Sequence, residues 1–291
     1  MTSVCDQRQF QRLIDLRCVQ IAFLLAIAIF GVSCGGDGDN PDNFDNRAPL
    51  IFAAASLANV LGEAASLYET ETGNRVDFNF GGSITLANQI ALFGAPADGV
   101  FFVGERPTEV FAEAGLVPAP GYPNTFSNSL VVIGPKGAAR LSSLEHIASV
   151  KARFAIADQL LAPAGVYARQ ALESAGIWDE ISSRAILMLD VRAAMAAVES
   201  GNVQFGIVYK TDAATSDNIS VLYEIEDGYS PIGYMAIPLK GASNEDGAAK
   251  FLQYIVSEPA TLALFERAGF YDSGSSRTSW SKQVTELVLS S

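Results

Sequence analysis

From residue 50 onward, short apolar runs alternate with segments whose apolar residues recur at helical spacing. In the clearest helical segment, apolar residues occupy positions 57, 60, 61, 64 and 67, and Gly73-Asn74 ends it. We predict strands at Leu50–Phe52, Val76–Phe80, Val100–Val103, Leu130–Ile133, Phe154–Ile156, Ile186–Leu189, Phe205–Val208 and Tyr234–Ile237. The alternation predicts the α/β class, with mostly parallel sheets flanked by helices. These ~240 residues suffice for one doubly wound sheet or for two lobes, and the pattern favours neither.

Four predicted helices begin with small or capping residues directly after a predicted strand or a short turn. Ser56 and Ser83 stand at two of these starts, and Pro163 and Asp190 at the other two. Each helix start presents unpaired N–H groups and a partial positive charge, at the sheet edge where open α/β folds bind ligands. Any one of them alone is an ordinary N-cap. Together they predict a neutral cage of donors for an anion.

The composition of the first 34 residues is typical of an export signal. Val19–Phe30 is an unbroken apolar run, shorter than the ~20 residues of a relaxed membrane span and typical of a signal peptide. The small residues before Cys34 resemble a bacterial lipoprotein signal, which predicts a signal peptide at 1–33 and a lipidated Cys34. An ordinary secretory signal or an uncleaved N-terminal anchor is the alternative. Residues 34–47, rich in Gly, Asp and Asn, predict a flexible tether.

Composition excludes several functions. The chain has 291 residues and a formal net charge of −13, which argues against nucleic acid as a partner. Its three cysteines all precede residue 35, so the remaining body has no disulfide and no thiolate ligand or nucleophile. His146 is the only histidine, which excludes a multi-histidine zinc site. We therefore expect no cofactor.

Enzyme motifs are weak or missing. Ser56 lies in Ala-Ala-Ala-Ser-Leu and not in a Gly-x-Ser-x-Gly elbow, and His146 is the only imidazole that could serve as its base. No Gly-x-Gly-x-x-Gly follows a predicted strand, and Gly134-Pro-Lys-Gly137 lacks the order of a phosphate-binding loop. A serine hydrolase stays open only as a remote alternative.

Several strings, in order and with similar spacing, resemble the molybdate-binding proteins of ABC importers over residues 50–270. The strings are Phe52-Ala-Ala-Ala-Ser56-Leu57, Ser83-Ile-Thr85-Leu86-Ala87-Asn-Gln89-Ile90, Gly94-Ala-Pro-Ala-Asp98, Asn128-Ser129-Leu130-Val131-Val132, Pro163-Ala164-Gly165-Val-Tyr167-Ala168, Ala171-Leu172, Gly176-Ile177-Trp178-Asp179, Asp190-Val191-Arg192, Gly206-Ile207-Val208-Tyr209 and Phe265-Glu-Arg-Ala-Gly269-Phe270. Each string is weak alone, and the series is specific.

The resemblance implies a type II periplasmic binding protein with two α/β lobes joined by a hinge. Lobe I would comprise residues 48–128 and 231–291, and lobe II residues 129–230, with crossings near 127–131 and 230–236. The implied oxyanion ligands are the hydroxyls of Ser56 and Ser83, the backbone N–H groups of Ala164 and Val191, and the hydroxyl of Tyr209. Molybdenum would be held only as the bound oxyanion.

The implied function is capture of molybdate, and of tungstate, in the periplasm or at the cell surface, by a lipid-anchored monomer that delivers it to a membrane permease. It is not an enzyme. The same fold used as a sensor, or as a binder of another oxyanion or small ligand, is the alternative.

Two segments depart from the family pattern. Phe101–Arg106 replaces the usual Ser-Ala-Asp-like segment, which we expect to affect a lobe surface or rim loop and none of the five ligand positions. Gly81-Gly82 replaces residues richer in hydroxyls beside Ser83, so one side-chain donor is expected to be lost there.

Overall fold

The structure, a computed structural model, describes residues 47–116 and 122–272, without the side chains of 122–124. The predicted signal peptide, the lipidated Cys34 and the tether up to residue 46 lie outside the described residues. None of the described helices is long and apolar enough to cross a membrane.

Strands form two separate five-stranded sheets. The first has the order β2-β1-β3-β10-β4, and its strands are β1 Leu50–Ala54, β2 Asp77–Gly81, β3 Gly99–Val103, β4 Tyr122–Phe126 and β10 Tyr234–Pro238. The second has the order β7-β6-β8-β5-β9, and its strands are β5 Leu130–Pro135, β6 Phe154–Ala157, β7 Ala185–Met188, β8 Phe205–Tyr209 and β9 Ile219–Ile225. In both sheets the first three strands are parallel, and the fourth runs antiparallel to both of its neighbours.

Helices cover these sheets. They are α1 Ala58–Thr72, α2 Ser83–Phe93, α3 Arg106–Glu113, α4 His146–Ser149, α5 Pro163–Ser174, α6 Trp178–Ser182, α7 Val191–Glu199, α8 Lys210–Ala213, α9 Glu245–Ser257 and α10 Pro259–Arg267, with a short 3₁₀ helix at Ala55–Leu57. We call the first sheet with α1–α3, α9 and α10 lobe I, and the second sheet with α4–α8 lobe II. The chain passes from lobe I to lobe II between Phe126 and Leu130, and returns between Ile225 and Tyr234. The lobe boundaries given above stay a prediction.

All eight predicted strands are present, and two further strands were missed. β4 has the sequence Tyr-Pro-Asn-Thr-Phe, in which Pro and Asn are poor strand formers. β9 is an edge strand whose buried positions do not alternate regularly, so its pattern is weak. Each missed strand is the edge strand that pairs with the antiparallel strand of its sheet. Both sheets therefore contain parallel and antiparallel strand pairs.

The residues after the tether are fixed to lobe I through Asp98. This carboxylate is 2% exposed and accepts hydrogen bonds from the guanidinium of Arg47, at 2.8 and 2.7 Å. It also accepts the backbone N–H groups of Leu50, at 2.8 Å, and Asn244, at 2.9 Å. These hydrogen bonds join the N-terminal end of the described chain, β1 and the start of α9 to one carboxylate. Asp98 therefore has a structural role and is not free for chemistry.

Candidate functional site

A small cavity lies between the lobes, where strands of both sheets end and helices begin. The space between its walls, together with the open solvent that adjoins it, is about 210 Å³. Its lining is Ala54, Ala55, Ser56, Gly81, Gly82, Ser83, Val103, Ala162, Pro163, Ala164, Asp190, Val191 and Tyr209. All five residues that the resemblance implied as ligands are among them. The structure therefore brings these residues together from positions up to 153 apart in the chain (209 minus 56).

On the lobe I side, Ser83 is held so that its proton is free. It is the first residue of α2 and is 1% exposed. Its Oγ accepts a hydrogen bond from the backbone N–H of Val103, at 3.2 Å. A hydroxyl has one proton to donate and two lone pairs that accept. With the protein occupying an acceptor position, the Ser83 proton is available to a ligand in the cavity.

Ser56 is oriented by a chain of buried polar groups. Its Oγ lies 3.1 Å from the hydroxyl of Tyr234. Asn128 donates from Nδ2 to that Tyr234 hydroxyl, at 3.2 Å, and to Thr211 Oγ1, at 2.8 Å. Because Tyr234 already accepts from Asn128, its own proton is free to go to Ser56 Oγ. The Ser56 proton is then left for the cavity.

On the lobe II side, the donors are backbone N–H groups. Ala164 is the second residue of α5, and Val191 is the first residue of α7. N–H groups in the first turn of a helix have no acceptor within that helix. Gly165 allows α5 to start this close to β6, since a Cβ there would lie 2.2 Å from the carbonyl oxygen of Ala157. The carboxylate of Asp190 caps α7 by accepting from Ala193 N at 2.9 Å.

Tyr209 completes the lining from the end of β8. Its side chain is 1% exposed, and its hydroxyl has no hydrogen-bond partner in the described part of the chain. Burial, followed by the nearby tyrosines and Asp212, raises the pKa of Tyr209 well above its usual value. The phenol is therefore a neutral donor. A buried unpartnered hydroxyl costs about 1–3 kcal/mol, which a bound acceptor would recover.

A buried ion pair lies behind the cavity. Arg192 Nε approaches Asp212 Oδ1 at 2.5 Å, and Asp212 is fully buried. Arg192 also lies 3.5 Å from the backbone carbonyl oxygen of Ser56, in lobe I, and donates to Thr215 Oγ1 at 3.2 Å. Burial raises the pKa of Asp212 to about 6, and Arg192 opposes that shift. Arg192 thus connects a lobe II helix to the loop that carries Ser56.

Several supporting residues were missed from sequence: Asn128, Tyr234, Thr211, Arg192 and Asp212. Asn128 and Arg192 lie within recognised strings, but nothing in those strings indicates their partners. The Asn128–Tyr234 pair spans 106 residues, and the Ser56–Tyr234 pair spans 178. Only the fold shows these contacts.

The expectation for the segment at 101–106 is wrong in part. Residues 101–103 belong to β3, which is buried along its whole length, and not to a rim loop. The Val103 N–H is the group that holds Ser83. A backbone N–H is present at position 103 whatever the side chain is. The departure from the family pattern therefore does not remove this contact to Ser83. Residues 104–106 line a wider groove between the lobes.

The hydrolase alternative finds no base at the cavity. His146 lies in α4, is exposed, and contacts Ser142 through Nδ1 at 3.2 Å. It does not line the cavity. Among the described residues there is no group of three or more His, Cys, Asp or Glu that could hold a metal ion.

Two lobes that enclose a cavity lined by hydrogen-bond donors define a solute-binding protein. The chain belongs to the family of bacterial extracellular solute-binding proteins, whose model matches residues 49–271.

Similarity to individual proteins supports the assignment to this family. The chain is 33% identical over 233 residues to the molybdate-binding protein ModA of Escherichia coli, covering 78% of this chain and 90% of the relative. It is 29% identical over 253 residues to YvgL of Bacillus subtilis, provisionally named a substrate-binding lipoprotein of an ABC transporter, covering 85% and 96%. The structure of the periplasmic molybdate-binding protein of Azotobacter vinelandii matches with a TM-score of 0.68 and 22% identity, covering 76% and 98%. These matches confirm the two-lobed α/β fold.

Proposed function

We propose that this protein captures molybdate outside the cytoplasmic membrane and delivers it to an ABC importer. The observation that carries the proposal is the state of the three cavity hydroxyls. Ser83 accepts from the Val103 N–H, Ser56 shares with Tyr234 a hydrogen bond in which either hydroxyl can donate, and Tyr209 has no hydrogen-bond partner among the described residues. Each hydroxyl can therefore give its proton to a bound acceptor. A cage of this kind suits an oxyanion with several unprotonated oxygens.

Energetics favour a dianion in such a cage. Hydrogen bonds to a charged group contribute about 1.5–3 kcal/mol each. About five to seven of them offset the cost of removing a dianion from water.

Donor geometry also sets selectivity. Protonated phosphate would turn a hydrogen towards the cage, where the backbone N–H groups cannot accept it, so it should bind more weakly than an unprotonated oxyanion. Molybdate, tungstate and sulfate all lack that proton at neutral pH, and only size separates sulfate from the other two. The molybdate-binding relatives support the choice of molybdate, and tungstate is proposed as a second ligand.

The net charge of −13 does not oppose this role. Surface charge is screened beyond about 8–10 Å at physiological salt, whereas the proposed ligand meets local donors. No bond is made or broken in capture and release, so we propose no enzymatic activity and no cofactor. The proposed anchor is a lipid on Cys34, with residues 35–46 as a tether between membrane and body, since Arg47 is already bound to Asp98. The proposed partner is a membrane permease.

Thermal unfolding with added molybdate, tungstate, sulfate or phosphate tests the proposal. A ligand at ~1,000 times its dissociation constant stabilises by about 4 kcal/mol, or roughly 8–16 °C for a chain of this size. We expect this shift with molybdate and tungstate and not with phosphate. The matched control His146→Ala should leave the shifts unchanged. The absence of any shift with all four anions would refute the proposal and favour a different ligand.

A further inference from the structure

Gly82 lies where lobe II comes closer to lobe I than a side chain at position 82 would allow. A Cβ on Gly82 would lie 2.5 Å from the carbonyl oxygen of Leu161. It would also lie 3.1 Å from Ala162 Cβ and 3.1 Å from the carbonyl oxygen of Leu189. Contacts below 3.0 Å are essentially never observed for real Cβ atoms. All three of these nearest atoms belong to lobe II.

The backbone of Gly82 does not itself require glycine. Its φ of −65° and ψ of 126° are extended values that any residue adopts. The need for glycine therefore comes from the opposite lobe, and it exists only while the lobes are together. When they separate, position 82 can carry a side chain without strain.

The crowding atoms cannot retreat without moving the site. Leu161 O accepts from Thr85 in lobe I, from the backbone N at 3.1 Å and from Oγ1 at 3.3 Å. Leu161 also stands two residues before α5, and its N–H donates to Asp158 O at 3.0 Å. Leu189 immediately precedes Asp190, the cap of α7. Any displacement of these carbonyls is passed to the helix starts that carry the lobe II donors.

We propose that Gly82 determines how far the lobes close, and hence how tightly the cage holds its oxyanion. This inference rests on the proposed function. A side chain at position 82 would separate Ala164 and Val191 from the serines of lobe I. A displacement of about 1 Å takes donors out of the roughly 2.7–3.2 Å range of N–H···O hydrogen bonds. Each hydrogen bond to a charged group that is lost lowers affinity by roughly 10–100-fold, so the affinity is sensitive to a single methyl group here.

The test compares the unaltered protein with Gly82→Ala and Gly62→Ala. Gly62 is inside α1, and nothing lies within 4 Å of a Cβ built there. Molybdate affinity is measured by calorimetry, compaction on ligand binding by small-angle X-ray scattering, and folding by thermal unfolding without ligand. We expect Gly82→Ala to fold, to lose at least about 10-fold in affinity, and to compact less with molybdate. Gly62→Ala should match the unaltered protein in affinity and compaction.

Two results would overturn the inference. One is a Gly82→Ala variant that binds molybdate and compacts like the unaltered protein. The other is a variant that fails to fold without ligand, since this would show that position 82 is crowded before closure. Failure of the proposed function is a separate result, because the unaltered protein itself would then bind none of the four anions.

Discussion

The two walls of the cavity are built on different principles. Lobe I contributes serine hydroxyls, each of which is hydrogen-bonded to another protein group. Lobe II contributes backbone N–H groups at helix starts and the tyrosine hydroxyl that has no partner among the described residues. A hydroxyl can donate or accept, whereas a backbone N–H can only donate. Lobe I therefore needs neighbouring groups to direct its protons into the cavity, whereas the backbone N–H groups of lobe II can only donate.

The residues that support the two walls of the cavity also differ in charge. Ser56 is oriented by the neutral groups of Tyr234 and Asn128, whereas the lobe II side is supported by the ion pair of Arg192 and Asp212. Neutral networks hold their geometry at any pH at which the protein is folded. A buried carboxylate responds to pH, because burial favours its protonated form. The two lobes should therefore respond differently to mutation and to pH.

Removing both lobe I hydroxyls should give the largest effect. Each of Ser56→Ala and Ser83→Ala deletes a donor to a buried charge, at about 1.5–3 kcal/mol. The double variant should lose about 3–6 kcal/mol, or about 10²–10⁴-fold in molybdate affinity by calorimetry. Ser66→Ala, an exposed serine in α1, is the control and should bind normally. A double variant with normal affinity would remove lobe I from the site.

The backbone donors of lobe II can be tested with proline. Val191 is the first residue of α7, where proline is tolerated, and Asp190 before it is extended, as a residue before proline must be. Val191→Pro should fold and lose about 1.5–3 kcal/mol of oxyanion affinity, because it lacks the N–H. Val191→Ala keeps the N–H and trims the side chain, so it separates packing from donation. Equal losses in the two variants would argue against a donor at Val191.

Tyr209 and Ser83 should differ in their effect on stability. Tyr209→Phe removes a hydroxyl that has no partner in the described structure, so the ligand-free free energy of unfolding should not fall. Ser83→Ala leaves the buried Val103 N–H without its acceptor, at a cost of about 1 kcal/mol or more. Both should weaken oxyanion binding. Chemical denaturation without ligand, beside calorimetry with molybdate, measures both quantities. A loss of stability in Tyr209→Phe as large as that in Ser83→Ala would contradict the difference between the walls.

The residues that line the cavity could be predicted because most of them lie at local features. Ser56, Ser83 and Val191 stand at helix starts that directly follow strands or a capping residue, and such starts have short-range signals in sequence. The eight apolar strands could likewise be predicted, because each is a short apolar run in the sequence. Tyr209 came from the resemblance alone, since a tyrosine at the end of a strand has no pattern that indicates a ligand.

The supporting residues could not be predicted, for a physical reason. Asn128 lies in the first connection between the lobes and Tyr234 begins β10 directly after the second, and no periodicity encodes this pairing across 106 residues. β9 and the antiparallel β10 depend in the same way on long-range register. The clash at position 82 requires the distance between the lobes, which residue identities do not contain.

The smallest of the expected effects is a pH dependence of stability, which should come from lobe II. Burial raises the pKa of Asp212 from 3.8 to about 6, so the folded protein holds this proton more tightly than the unfolded chain. The resulting stability is fully present below about pH 4 and is lost as the pH rises through about 6, by no more than about 1.4 kcal/mol per pH unit.

Denaturation series at pH 4–7 on the unaltered protein, Asp212→Asn and Ser83→Ala would measure this contribution. Asp212→Asn leaves Arg192 without its counter-charge above about pH 6, so slopes with pH are compared and not levels. We expect the variant to lack the decline that the unaltered protein shows between pH 4 and 6. Ser83→Ala, which alters only the neutral support of lobe I, should keep it. Parallel slopes for the unaltered protein and Asp212→Asn would show that the buried pair does not titrate in this range, and that the charged support of lobe II is as insensitive to pH as the neutral support of lobe I.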